Sequence, residues 1–219
     1  MRVVTTPAAT ARYLRSDARE NRDRILAAAA QAFADDGLSV SLVEIARRAG
    51  VGNATVHRNF TKEQLIEELF QDWYSRRQAI AERALADHDP WHGLASFLED
   101  VLADGTRNRA ISVLFAVNSG WRERFRAMMS SLLVRAQEGG AARADLTVED
   151  LTLALLGVAG TMAITGQSSP DQWRRHLTIV LDGMKARPGQ PLPGLPLSPD
   201  QLDNDLREWS CGVLRNGNA

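Results

Sequence analysis

Apolar residues recur with the helical period in one segment of the chain after another, a pattern that predicts an all-α protein. Ile25, Ala29 and Phe33 stand at i, i+4 and i+8 and predict a helix from Asp17 to Asp35, closed by Gly37. Leu42, Ile45, Ala46 and Ala49 predict a short second helix, started by a capping box of Ser41 and Glu44. Gly50 supplies the positive φ of a tight turn, and Val51 is an apolar plug behind it. A third helix starts near Asn53, turns Val56 inward and ends around Phe60. Thr61 and Gln64 make another capping box, opening a long fourth helix that buries Leu65, Leu69, Phe70 and Trp73 and runs to about Asp87.

The stripes continue beyond that point. Asp89 caps a helix that Pro90 begins, with Leu94, Phe97, Leu98, Val101 and Leu102 on one face and an end near Gly105. A shorter stripe holds Ile111, Leu114, Phe115 and Val117. The next holds Trp121, Phe125, Met128, Met129, Leu132 and Leu133, and stops at Gly139-Gly140. Thr147 and Asp150 start a helix from Leu151 to about Gln167, apolar almost all the way round and carrying Gly157, Gly160 and Ala163. Such a helix is expected to be covered on both sides. After Ser169-Pro170-Asp171, one stripe carries Trp173, Leu177, Val180, Leu181 and Met184. A linker rich in proline and glycine spans Arg187 to Pro199, and Ser198-Pro199-Asp200 starts a last helix with Leu202, Leu206, Trp209 and Val213 on one side. That side is too apolar to stay wet, so it docks on its own body or on a partner.

The chemistry concentrates in residues 41–60. Two short helices around a glycine turn, the second exposing Asn53, Thr55, His57, Arg58 and Asn59, form the pattern of a helix-turn-helix whose second helix enters the DNA major groove. The amide and hydroxyl groups offer neutral hydrogen bonds, while Arg58 and protonated His57 add charge-assisted ones to phosphate. The charge distribution agrees. Over all 219 residues the net charge is −1, yet residues 1–62 hold ten basic against six acidic side chains, a balance of +4, and the remainder carries −5. A basic head on an acidic body suits a protein that presents one end to DNA. Arg2, Arg12 and Arg15 lie in a stretch without apolar period, read either as a frayed end or as a basic arm reaching phosphate or a minor groove.

With its flanks, this stretch resembles the N-terminal domain of TetR/AcrR-family transcriptional regulators over roughly Arg22 to Phe70. The matching residues are Arg24-Ile25-Leu26-Ala27-Ala28-Ala29, Phe33 with Gly37, Ile45-Ala46, Ala49-Gly50-Val51, Thr55-Val56-His57, Asn59-Phe60 and Lys62-Glu63 with Leu65. Ser41 stands where the family usually has Thr, His57 where it usually has Tyr, and Asn59-Phe60 where it commonly has His-Phe. The link from Phe60 to Lys62 is one residue shorter than usual. The resemblance implies a DNA-binding set of Ser41, Asn53, Ala54, Thr55, His57, Arg58, Asn59 and Lys62. It also implies a C-terminal helical domain that encloses a small-molecule effector, for which Phe97, Val101, Phe115, Trp121, Phe125 and Met128 are the candidates. The last two helices of that domain are expected to form a dimer interface through Leu153, Gly157, Gly160, Trp173, Leu177 and Leu181.

The expected organisation is thus a basic arm (1–16), a three-helix helix-turn-helix domain (17–62), an effector-binding and dimerisation domain (63–186), and a linker with a C-terminal helix (187–219). The expected function is a ligand-responsive repressor that binds a near-palindromic double-stranded operator as a homodimer and is released by a small-molecule effector. The alternative is a helical small-molecule-binding protein or enzyme without a DNA role. No nucleophile–base pair or phosphate-cradling glycine loop supports an enzyme. His88 and His92 have carboxylates nearby, but Pro90 separates them and no third ligand stands at a recognisable spacing, so neither metal nor cofactor is expected. Cys211 is the only cysteine, so no intrachain disulfide forms. The N-terminus lacks the apolar core of a secretory signal, and the apolar run Leu151–Thr165 is shorter than the roughly 20 residues of a membrane-spanning helix. A cytoplasmic protein with no membrane partner is expected.

Overall fold

The computed structural model describes residues 7–105, 119–187 and 189–216. The stripe expected at Ile111, Leu114, Phe115 and Val117 lies outside them, as do Arg2 and the side chains of Arg12, Arg15 and Val213. The described residues form nine helices, which we number α1 (Pro7–Asp36), α2 (Leu42–Ala49), α3 (Asn53–Asn59), α4 (Lys62–Leu85), α5 (Pro90–Gly105), α6 (Ser119–Glu138), α7 (Val148–Thr165), α8 (Gln172–Met184) and α9 (Pro199–Asn216). A single 3-10 turn, Gly37–Ser39, follows α1. The chain divides into two compact units, residues 1–72 and 73–219, with the division inside α4.

In the first unit, α1 begins at Pro7, well ahead of the Asp17 that the apolar period suggests. The reason is local: proline is preorganised for the first helical position, and the alanines after it have the highest helix propensity. Ile25, Ala29, Ala32 and Phe33 are buried on one face of α1, and Gly37 leaves the helix at φ 70°. The Ser41 Oγ accepts the Glu44 backbone N–H at 3.2 Å and caps α2. Only this half of the expected capping box forms. The Glu44 carboxylate instead accepts from Arg47 Nε at 2.8 Å, Arg47 Nη2 at 2.7 Å and Arg48 Nε at 2.9 Å, because charge-assisted bonds outcompete a neutral backbone amide. Arg48 also donates to Asp35 at 3.0 Å and to Asp36 at 2.5 Å, tying the end of α1 to α2. Gly50, at φ 65°, completes a Schellman turn in which its N–H donates to Arg47 O and the Val51 N–H to Ala46 O. Thr61 and Gln64 form both bonds of their capping box, and Leu65, Leu69 and Phe70 are buried.

The second unit is built around Leu94, Phe97, Leu98, Met129, Leu132 and Leu151, all sealed from solvent. Full burial of an aromatic or leucine side chain stabilises by roughly 1.5–3 kcal/mol. Trp73 and Phe125 lie 5.6 Å apart, and Phe97 stacks on Phe125 at 6.1 Å. Asp89 caps α5 through the Trp91 and His92 amides. Gly93 then lets α5 approach α4 closely: a Cβ there would stand 2.4 Å from the Ala84 carbonyl oxygen. Arg135 donates to the carbonyls of Ala84 and Asp87, tying α6 to the C-terminal end of α4 and the turn after it. Past the turn at Gly140, Ala141 and Arg143 pair with Ala186 and Met184 in a short antiparallel bridge that joins the ends of α6 and α8.

Thr147 and Asp150 form both bonds of the capping box that starts α7. Its own chain covers α7 on one side only. Leu151, Leu155 and Val158 are buried, while Leu153, Leu156 and Ile164 are exposed on another stripe. At 18 residues α7 is long and apolar enough to cross a bilayer by composition, yet Glu149 in its first turn is buried against Arg126. Ser198 and Gln201 cap α9, which docks on its own chain through Leu202 and Leu206, leaving Trp209 exposed.

Two outcomes test these assignments. Gly93→Ala should destabilise by about 1–3 kcal/mol through overpacking against the α4 backbone, read as a lower denaturation midpoint in urea; an unchanged midpoint would show that α4 and α5 separate without cost. Arg47 and then Arg48 pull the Glu44 carboxyl down to about 2. A carboxyl depressed in the folded state stabilises above its unfolded pKa, and that contribution is lost as pH falls through the folded value. Glu44→Gln should therefore lower the melting temperature at pH 7 and flatten its fall between about pH 4.5 and 2, relative to wild type. Parallel curves for the two proteins would contradict the pairing.

Candidate nucleic-acid interface

Seven residues make a helix too short to persist alone, so α3 depends on its packing. Val56 and Phe60, one turn apart, are both buried and fix its inner side. Helical geometry then places Ala54 and Arg58 opposite Val56, with His57 on one flank and Thr55 on the other. Asn53, Ala54, His57, Arg58 and Asn59 are exposed, and Thr55 is half-buried. The structure thus brings six of the expected DNA-binding residues onto one outward surface. Its character is polar rather than strongly cationic, which suits hydrogen bonding to base edges and to phosphate oxygens.

Local bonds already engage part of that surface. The Arg58 Nε donates to the Ala54 carbonyl at 3.1 Å, laying the side chain back along α3. The Asn59 amide does the same to Thr55 O at 2.7 Å. Ser41 is exposed at the head of α2, its Oγ accepting from Glu44. The Lys62 ammonium donates to the Leu38 carbonyl at the 3-10 turn and so braces the end of α1. The basic excess of this head is also partly consumed internally, since Arg47 and Arg48 face Glu44, Asp35 and Asp36, and Arg22 pairs with Glu68 while lying 4.5 Å over the Phe60 ring.

The remaining candidates divide. Phe97, Val101, Trp121 and Phe125 are buried and Met128 half-buried, with Phe97 and Phe125 packed on each other; Phe115 lies outside the described residues. Of the expected interface, Leu153, Gly157 and Gly160 are exposed on α7 and Leu181 is half-buried. Trp173 and Leu177 are each 3% exposed and face the body of their own chain, because α8 buries the stripe that the period picks out. The outer side of α8 is marked instead by Ile179, 63% exposed.

Sequence reasoning missed a charged cluster. Arg122, 3% exposed at its side chain, donates from Nε to Asp203 Oδ1 at 2.7 Å, and Arg126 pairs with Glu149 and stands 3.7 Å from Asp203. The bond from Arg122 holds the Asp203 carboxyl below its usual range. A signal was available in the sequence, since two arginines one turn apart interrupt the apolar stripe around Phe125 and Met129.

Comparisons with known proteins agree with this architecture. Residues 25–69 match the bacterial regulatory proteins of the tetR family, and residues 89–186 match the C-terminal domain of SbtR-like transcriptional regulators. The chain is 38% identical over 90 residues to the HTH-type transcriptional repressor KstR2 of Mycolicibacterium smegmatis, a match covering 37% of this chain and 44% of that repressor, less than half its length. A TetR transcription regulatory protein from Mycobacterium vanbaalenii is similar at 31% identity and a TM-score of 0.51, over 79% of this chain and 99% of that one. A TetR transcriptional regulator from Streptomyces coelicolor is similar at 32% identity and a TM-score of 0.52, over 75% and 98%. An outward polar α3 on a buried Val56–Phe60 base, the sequence matches at both ends and these full-length structural relatives place the chain in the TetR family of transcriptional regulators.

Proposed function

We propose that the protein is a ligand-responsive repressor, acting in the cytoplasm as a homodimer on a near-palindromic operator and released by a small-molecule effector. The observation that carries this reading is the outward face of α3, where Asn53, Thr55, His57 and Arg58 surround a helix anchored by Val56 and Phe60. In this role Asn53 reads a base edge, while Thr55, His57 and Arg58 set register on phosphate. Ser41, at the head of α2, adds its hydroxyl to the same backbone. The helical body supplies the effector site, with Phe97, Val101, Trp121, Phe125 and Met128 as its apolar and aromatic wall.

The second copy joins along α7 and α8. Leu153, Leu156 and Ile164 form an exposed apolar stripe, and Ile179 adds to it from α8. Gly157 and Gly160 have open space where a Cβ would stand, so packing within the chain does not require them to be small. Close approach of a partner helix would. Two-fold pairing of this face makes an isologous interface, and a dimer offers one α3 to each half of an operator whose half-sites lie one turn of B-DNA apart, roughly 34–36 Å. An effector that favours another separation lowers operator affinity by its differential affinity for the two states.

Selection of duplex fragments by the purified protein, followed by titration at several salt concentrations, tests the reading. Thr55→Ala and His57→Ala should weaken selected and random duplexes alike, whereas Asn53→Ala should change base preference, by about 1–3 kcal/mol for a bidentate contact. Equal operator affinity in wild type and the Thr55→Ala/His57→Ala double variant would refute the assignment of this face. For assembly, Ile179→Glu places an unpaired charge at the interface while sparing the intrachain core, and should give a monomer in sedimentation with unchanged helical circular dichroism. A dimer persisting at micromolar concentration would move the interface off α8.

A further inference from the structure

The corner between α3 and α4 consists of Phe60 and Thr61 alone. Phe60 takes an extended backbone, φ −148° and ψ 143°, while its N–H still donates to the Val56 carbonyl at 2.8 Å. It therefore ends α3 and starts the turn into α4 in one step. The opposite end of α3 has no comparable hold, because Gly52 stands at the cap position and brings no side-chain bond to it. The heading of α3 is thus set at Val56 and at its far end, where Phe60 is 2% exposed.

Arg22 acts on that far end from another helix. Its guanidinium, carried by α1, lies 4.5 Å from the centroid of the Phe60 ring, and its Nη2 donates to the Glu68 carboxylate on α4. One side chain thus joins three segments: α1, the corner and α4. The chemistry calls for arginine. A planar guanidinium rests on a ring face and keeps its edge for a carboxylate, whereas a lysine ammonium has no plane with which to do both. The side chains of Arg22 and Glu68 are 42% and 34% exposed, so the pair lies at the rim of the packed unit. A cation at such a rim has an alternative use, a bond to phosphate. Its partner argues against that use, since the carboxylate already neutralises the guanidinium and itself repels phosphate.

We infer that Arg22 and Glu68 are a positioning pair for DNA recognition: they seat Phe60, Phe60 fixes the heading of α3, and neither side chain touches the duplex. The inference rests on α3 as the reading helix, and it adds residues outside α2 and α3 to the determinants of sequence preference. Base readout feels the pair first. A bidentate bond to a base edge is lost with a small tilt of the helix, since both its distance and its angle are narrow. Attraction to phosphate tolerates such a tilt, because charge acts over a longer range and the backbone repeats along the duplex.

The test uses the full chain and two probes, a duplex selected by the wild-type protein and a random duplex of equal length. Glu68→Ala decides the sign. It should weaken the selected duplex about tenfold, the worth of one misaligned base contact, and leave the random duplex within about threefold. Were Arg22 a phosphate contact, removing its competing anion would tighten both. Arg22→Gln and Arg22→Lys should each reproduce the loss of selectivity, the second because it keeps the charge without the plane. The salt slope of Arg22→Gln should stay at the wild-type value, whereas loss of a phosphate contact would lower it by about 0.9. In Glu68→Ala without DNA, hydrogen exchange should accelerate at the amides of 57–60 and keep its wild-type rate at those of 25–33, which separates a loosened corner from global unfolding. Tighter binding by Glu68→Ala, full rescue by Arg22→Lys, a lowered salt slope, or an equal loss on both duplexes would each overturn the proposal. Should Arg22→Gln lose its helical circular dichroism, Glu68→Ala and Arg22→Lys decide. Intact selectivity in all these variants, in a protein whose Asn53→Ala form changes base preference, overturns the pair and leaves the reader standing. Equal operator affinity of wild type and the Thr55→Ala/His57→Ala double variant removes the reader, and the recognition role of the pair with it.

Discussion

A helix of seven residues cannot hold itself together in water, and α3 is such a helix. Its outward groups have a defined geometry only because Val56 and Phe60 are removed from solvent beneath them. That single burial sets the demands on its neighbours. The α2 helix must end sharply to bring α3 alongside, which the left-handed Gly50 achieves. The α1 and α2 helices must be locked together, which Arg48 achieves by bridging Asp35, Asp36 and Glu44. Among the described residues, Arg22, Arg47, Arg48 and Lys62 thus spend their charge inside the first unit, around a largely neutral face. Specific recognition by such a face leans on hydrogen-bond geometry more than on bulk charge, consistent with a chain whose net charge is only −1.

The second unit solves a different problem. Its core centres on Phe125, on which both Trp73 and Phe97 pack. Charge is brought inside at several places, each neutralised by a carboxylate; Arg143 on Asp145 is one, and two others lie deeper. Arg77, 4% exposed, lies 4.2 Å over the Trp73 ring and 2.7 Å from Asp104, and burial draws its guanidinium down to about 10. It therefore remains charged at neutral pH. Arg122 and Arg126 form the second place, and there one neutralising group arrives on a separately tethered helix.

Local chemistry was the most legible part of the fold. The caps at Ser41, Thr61, Thr147 and Ser198 and the turns at Gly50 and Gly140 depend on residues a few positions apart, and each stands where the sequence places it. The outward set on α3 was legible for the same reason, since Val56 and Phe60 define its inner side. What failed involved competition or missing neighbours. Glu44 was assigned to the Ser41 amide because the pairing rule is local, but Arg47 and Arg48 offer it stronger bonds. The bond from Lys62 to a carbonyl twenty-four positions earlier likewise lies beyond the reach of a local rule. Periodicity showed that α7 is apolar on two sides without showing which side its own chain covers. It also drew one stripe on α8, and Trp173 and Leu177 on that stripe face inward while Ile179 faces out.

The short tether before α9 has a kinetic consequence. Leu192 is fixed to the body, and α9 is capped at Ser198, so residues 193–198 are all that separate an anchored point from the docked helix. Fully extended, that length spans at most about 20 Å, and its prolines keep it from collapsing. A released α9 would stay within that radius at an effective concentration in the millimolar range. Return to the body is then a unimolecular event, with a rate independent of how much protein the cell contains. Redocking on its own chain therefore outpaces capture of α9 by a second copy at any protein concentration below that range.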